Sequence, residues 1–234
     1  MSHYAVAVIH RGSQDVDELL APYSENLEVE PYVRFTKQEA IDYVREHWLK
    51  DGETKTDDEC WKMMADDYSG NTDDEGNIYT TYNPDSKWDW YEEGGRFSDL
   101  LRLKDSNEKV NSALIADIDF TADPEEYKDA LRFWDVVVDH QPQKDGEDIW
   151  SIYNEEYYKK YYGDRENYAR QQSSFSTYAV VTPDGEWHGK GEMGWFGCSS
   201  ETPEESNDWA NHYMDRFINS ADNDLYITII DCHI

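Results

Sequence analysis

Leu225-Tyr-Ile-Thr-Ile-Ile230, read together with Tyr4-Ala-Val-Ala-Val-Ile9, decides the fold of this 234-residue chain. Both stretches are apolar at successive positions, the pattern of strands buried on both faces. Two such strands, one toward each end of the sequence, belong in one sheet. Working inward, the other strand candidates are residues 88–91, 96–103, 113–118, and 178–182 with 186–188. Pro183-Asp184-Gly185 joins the last two as a hairpin turn.

Helices are read from their caps. Thr36 with Glu39, and Thr56 with Glu59, have capping-box spacing, in which each side chain satisfies a backbone N–H at the helix start. Thr202-Pro203-Glu204-Glu205 adds proline at the first helical position. The expected buried faces are Ile41, Val44 and Trp48 in the first helix and Trp209, Tyr213 and Phe217 in the last. Asp123-Pro124 opens a helix with Tyr127, Leu131, Trp134 and Val138 on one side. A Tyr-rich helix is expected over roughly residues 148–171, and loops over 69–84, 104–111 and 141–147. Helices between strands give an α+β class with a mixed β-sheet covered largely on one face. A ferredoxin-like core with long helical insertions, in a single acidic domain over 1–234, is the expectation.

Acidic residues number 52 against 21 basic ones, a net charge of -31. Phosphate backbones are bound by clustered Lys and Arg, and no window supplies such a cluster. Direct nucleic-acid binding and anionic membranes are therefore disfavoured as partners, and a basic protein surface is favoured. Mean hydropathy is -0.94, yet an aromatic content of 15% supplies enough apolar area for a core. Cys60, Cys198 and Cys232 are odd in number and widely spaced, so they make no disulfide framework. With no secretory leader and no spanning segment read in the sequence, a reducing cytoplasm is expected.

Two aromatic, glycine-bearing stretches stand out: Asn83-Pro-Asp-Ser-Lys-Trp-Asp-Trp-Tyr-Glu-Glu-Gly-Gly-Arg96-Phe97 and Gly189-Lys-Gly-Glu-Met-Gly-Trp-Phe-Gly197-Cys198. If both line one pocket, Trp88, Trp90, Trp195 and Phe196 are its walls, and Asp89 and Arg96 its polar anchors. The competing reading makes the tryptophans core and the glycines turn residues. A third stretch, Asp231-Cys-His-Ile234, sets a thiol and an imidazole side by side. With His10, His188 and Cys198 it offers thiol and imidazole groups for a Cys/His nucleophile pair or a zinc site. Local ligand pairs such as CxxC or HExxH are absent, so no metal, cofactor or catalytic residue is assigned. Among the acidic clusters, Asp57-Asp58-Glu59, Asp66-Asp67 and Asp73-Asp74-Glu75 are the candidate partner-binding surface. Helix starts account for some of these carboxylates but not for the total, which leaves two explanations, a high-salt cytoplasm or a surface shaped to meet a basic groove.

On these motifs, together with Leu20 to Tyr32, Ala116-Asp-Ile-Asp-Phe120 and Ser176 to Val181, the chain resembles a family of uncharacterised proteins from tailed phages and prophages. Phe97 stands where that family carries a Trp after Gly-Gly-Arg. The resemblance implies a viral origin and no established activity. By analogy with acidic phage accessory proteins, it directs the expectation to an anti-defence inhibitor acting in the host cytoplasm as a DNA mimic, through protein–protein interaction with a bacterial host protein that has a basic surface. The alternatives are a protein that binds or degrades a nucleotide signal in the Trp-lined pocket and, third, an assembly role. The sequence sets no oligomeric state.

Overall fold

The computed structural model describes residues 2–106 and 108–234, with the Trp195 side chain outside the described set. In chain order the elements are β1 (His3–Arg11), α1 (Val16–Leu20), β2 (Tyr32–Phe35), α2 (Lys37–His47), α3 (Asp57–Asp67), β3 (Ile78–Thr80), β4 (Trp90–Glu93), β5 (Leu101–Arg102), β6 (Lys109–Val110) and β7 (Ser112–Leu114). There follow α4 (Pro124–Val137), α5 (Glu155–Tyr162), α6 (Arg165–Ser173), β8 (Ala179–Val181), β9 (Trp187–Gly189), α7 (Pro203–Tyr213) and β10 (Leu225–His233). They form two compact units. One comprises the residues up to Ser24 with Lys87–Ile234, and the other is Glu25–Ser86. No helix among the described residues is long and apolar enough to cross a membrane.

The larger unit is built on a mixed sheet in the order β4-β10-β1-β8-β9, with β7 also pairing with β10. As their apolar runs require, β1 and β10 are its centre, paired antiparallel over their whole length from His3↔His233 to Arg11↔Leu225. One face carries Ala7, Ile9, Ile227 and Ile229 against Trp209, Tyr213 and Phe217. The opposite face carries Tyr4, Val6, Val8, Ile230 and Cys232 against Leu20 and Trp88. Both faces are thus covered, rather than largely one, which is why neither central strand alternates.

The α+β class with its mixed sheet is as expected, but the strand order is not ferredoxin-like. In a split β-α-β unit an antiparallel strand fills the space between the two parallel strands. Here β8 lies directly beside β1 in parallel, and β9 folds back outside it as the expected hairpin. Helical insertion is extensive: α4, α5 and α6 form an aromatic cluster around Trp134, Val138, Tyr158 and Tyr168. The long helix expected over 148–171 is two helices, because Gly163 takes φ +77 and the Asp164 side chain caps α6 by accepting from Asn167 N–H. Residues 96–103 and 113–118 hold short strands and single turns of 3-10 helix instead of full strands.

The smaller unit is an antiparallel ribbon, β2 with β3, beside α2 and α3. Both helices start with the reciprocal capping boxes read from sequence. Their shared core is Ala40, Ile41, Val44, Cys60, Met64, Ala65 and Ile78. Trp48 is left out of that core, 38% exposed at the C-terminal cap of α2.

Candidate functional site

Antiparallel pairing brings the start of β1 against the end of β10, and β4 adds a third strand there. Trp90, His233 and His3 are consecutive cross-strand neighbours, so their side chains share a face. Trp90 stacks on His233 at 5.0 Å and 19°, and the two imidazoles meet edge-on at 4.9 Å. Each ring is oriented by its own carboxylate. His3 Nδ1–H donates to Asp231 at 2.9 Å, and His233 Nδ1–H donates to Asp89 at 2.6 Å. A carboxylate can only accept, so each Nδ1 carries the proton, and Nε2 of the neutral ring is the acceptor.

The surrounding backbone completes the arrangement. Asp231, with a side chain only 2% exposed, also accepts from Arg96 N–H at 2.9 Å. Asp89 also accepts from Trp90 N–H at 2.8 Å. Gly95 makes room for this: at φ +50, a Cβ there would lie 2.6 Å from Asp231 Cβ and Oδ2. Two paired histidine–carboxylate dyads of this kind can hold and pass protons. No set of three or more His, Cys, Asp or Glu side chains among the described residues gathers to hold a metal.

The sequence candidates for a Trp-walled pocket divide between the faces. Trp88 is buried on the Tyr4 side, edge-on to Tyr91 at 4.8 Å, with its indole N–H donating to Leu20 O at 3.2 Å. The cause is local. The strand begins at Trp90 with a bend at Asp89, so Trp88 and Trp90 do not alternate as one strand would have them. Asp89 and Trp90 reach the histidine cluster. Arg96 contributes its backbone N–H, and its exposed guanidinium has no ion pair among the described residues. Phe196 is 83% exposed with φ +60. Trp195 was a wall of the expected pocket, and its side chain lies outside the described residues.

The Cys/His candidates also separate. Cys232 faces Tyr4 and Tyr91 as register partners, and burial pushes its thiol pKa up, away from a thiolate. His10 is at the far end of β1, its Nε2 3.0 Å from Thr228 Oγ1. His188 lies on β9, and Cys198 is exposed. His3 and Asp231 were missed as site residues. Their signal was the equal length of two buried strands, which under antiparallel pairing sets His3 against His233.

The acidic candidates occupy the smaller unit. Glu59 is held in its capping box, Asp57 pairs with Arg45, and Asp58 lies 3.6 Å from Lys37. Asp73 organises a turn, accepting from Glu75 N–H, Asn77 N–H and the Asn77 side chain at 2.9–3.0 Å. Asp66, Asp67, Asp74 and Glu75 are exposed, and their side chains have no hydrogen bond or ion pair among the described residues. Asp66 and Asp67 lie in the last turn of α3, which holds no basic residue, so they meet the negative end of the helix dipole. No family model, curated protein or solved structure matches the chain.

Proposed function

We propose that the chain is a phage-encoded inhibitor that binds a basic surface of a bacterial defence or nucleic-acid-handling complex in the host cytoplasm, its carboxylates standing where phosphates would. The observation that carries this reading is the acidic C-terminal turn of α3. Asp66 and Asp67 are placed where the helix dipole opposes them and no cation among the described residues answers them, so they cost the isolated fold and help it in no local way. A cationic partner reverses that balance. The viral origin rests on the sequence resemblance.

The nucleotide-signal alternative called for a pocket walled by Trp88 and Trp90 together, and these two side chains lie on opposite sides of the sheet.

The test is capture of host proteins on the immobilised chain, eluted by a salt gradient, alongside the Asp66→Lys/Asp67→Lys variant. A specific partner should elute between about 0.1 and 1 M salt, where the Debye length falls from about 10 to about 3 Å. It should be displaced by duplex DNA and lost from the variant. A partner held equally at both salt concentrations and by both proteins would refute charge mimicry.

A further inference from the structure

β9 is the last strand of its sheet. Toward β8, Lys190 N–H donates to Tyr178 O at 2.9 Å and Thr182 N–H to Glu186 O at 3.0 Å, with His188 opposite Val180 between them. Antiparallel alternation therefore turns the backbone N–H and C=O of Trp187 and Gly189 outward. None of these outward groups has a hydrogen-bond partner among the described residues. Neither position holds the proline or charged side chain that commonly guards an edge.

Beside this edge is a cleft of about 990 Å³ lined by β9 and α7, with Trp187, Trp209 and Phe217 as its apolar part. Its charges decide what it can receive. Lys190 is already answered by Glu201 at 3.2 Å, and Arg216 by Asp208 at 2.7 Å. Glu204 and Glu205, in the first turn of α7, have no cation among the described residues. Glu205 is held only by the Thr202 cap, and the Glu204 side chain has no partner among the described residues. The cleft thus keeps uncompensated negative charge on the wall facing the open amides.

We infer that β9 is a strand-addition site for an extended, basic segment of a protein partner. The segment's backbone pairs with Trp187 and Gly189, and its Lys or Arg side chains, at alternate positions, face Glu204 and Glu205. This rests on the basic-partner reading and gives that partner a tail or loop able to lie as a strand.

The probe is a capped eight-residue peptide of alternating Lys and Val, titrated against the full chain. In an added strand all Lys amides point to one side and all Val amides to the other, so methylating one set of amides blocks pairing and methylating the other does not. One methylated isomer should bind about tenfold more weakly than the parent, since it loses the bonds to both Trp187 and Gly189 and each is worth severalfold net of water. Amide exchange at Trp187 and Gly189 should slow on binding, and Glu204→Lys should weaken the parent peptide severalfold. Equal binding by both isomers, or unchanged exchange at 187 and 189, overturns strand addition. If the peptide binds but is lost from Asp66→Lys/Asp67→Lys and kept by Glu204→Lys, strand addition is wrong and the basic-partner reading stands. No binding by any basic peptide at low salt, with no salt-sensitive host partner, ends both.

Discussion

His3 and His233 are register partners at the junction of the two central strands, and each is held through Nδ1 by a different carboxylate, Asp231 and Asp89 respectively. The carboxylates differ in one respect that decides their energetic weight. The Asp231 side chain is 2% exposed and that of Asp89 35%. Water can replace Asp89 but not Asp231.

Asp231→Ala leaves His3 Nδ1–H and Arg96 N–H unsatisfied in a buried setting and should cost about 2–4 kcal/mol of stability. Asp89→Ala should cost about 1 kcal/mol, because Asp89 is itself 35% exposed and solvent can enter the space it vacates to reach the otherwise buried His233 ring. Urea unfolding measures both. Equal losses would mean that burial does not set the difference.

Gly95→Ala should be among the costlier glycine substitutions. It combines φ +50 with a Cβ 2.6 Å from Asp231, whereas Gly146, at φ +86, has nothing within 4 Å of its Cβ. Backbone strain alone should cost Gly146→Ala about 1 kcal/mol, and the added clash should bring Gly95→Ala to about 2–4 kcal/mol. The same unfolding series compares them.

Acid titration should give a stability maximum rather than a plateau. The Arg132 guanidinium holds the Glu147 carboxyl down from the ordinary 4.5 to about 2. The capping hydrogen bonds from Thr36, Thr56 and Thr202 likewise lower Glu39, Glu59 and Glu205. A depressed folded-state pKa contributes stability that is complete above the unfolded value and lost as pH falls through the folded one. These groups therefore weaken the fold from about pH 4.5 downward. Repulsion among the 52 acidic residues acts oppositely and is relieved as pH falls from 7. At low salt, calorimetry should show Tm rising from pH 7 to about 5 and falling below about 4.5. In about 1 M salt the neutral-side rise should disappear. A steady fall from pH 7 at low salt would mean that self-repulsion is negligible.

Thiol labelling should separate the cysteines. Cys198 is exposed, while Cys60 and Cys232 are buried. A thiol reagent should modify one cysteine quickly in the native protein and all three once it is unfolded. Cys232→Ala should leave partner binding intact, its thiol being buried between Tyr4 and Tyr91. Loss of binding with the fold retained by circular dichroism would give Cys232 a functional part.

Asp66→Lys/Asp67→Lys should raise Tm by about 1–3 °C while abolishing capture of the basic partner, because lysines suit the end of α3 that the aspartates oppose. Opposite signs for stability and binding distinguish a functional surface from an incidental one. A Tm that falls with binding retained would remove Asp66 and Asp67 from the proposed surface.

Features set by neighbouring residues were legible in the sequence. The three Thr–Glu capping boxes, the Asp123-Pro124 start and the Pro183-Asp184-Gly185 hairpin each need only a few consecutive positions. The two buried strands were legible because apolar runs are local too. What failed was relational. Nothing local says that β1 and β10 run antiparallel, the relation that places His3 and not His10 opposite His233. An unbroken strand over residues 88–91 would put Trp88 and Trp90 on one face, but the bend at Asp89 is fixed by its bonds to His233. The same ring bonds that make the histidine cluster thus hid it from a reading by spacing.

The histidine cluster also sets a timetable. Its His3–Asp231 bond spans 228 residues, and β1 finds its longest partner only in β10. At about 5–20 residues per second, a ribosome takes roughly 10–45 s to cover that distance. During that interval a strand apolar on both faces waits without its mate. The sheet therefore closes only once β10 has been made, and its high contact order makes that closure slow. The nascent chain is then a natural client for chaperones, and the aggregation-prone species is the one in which β1 is still alone.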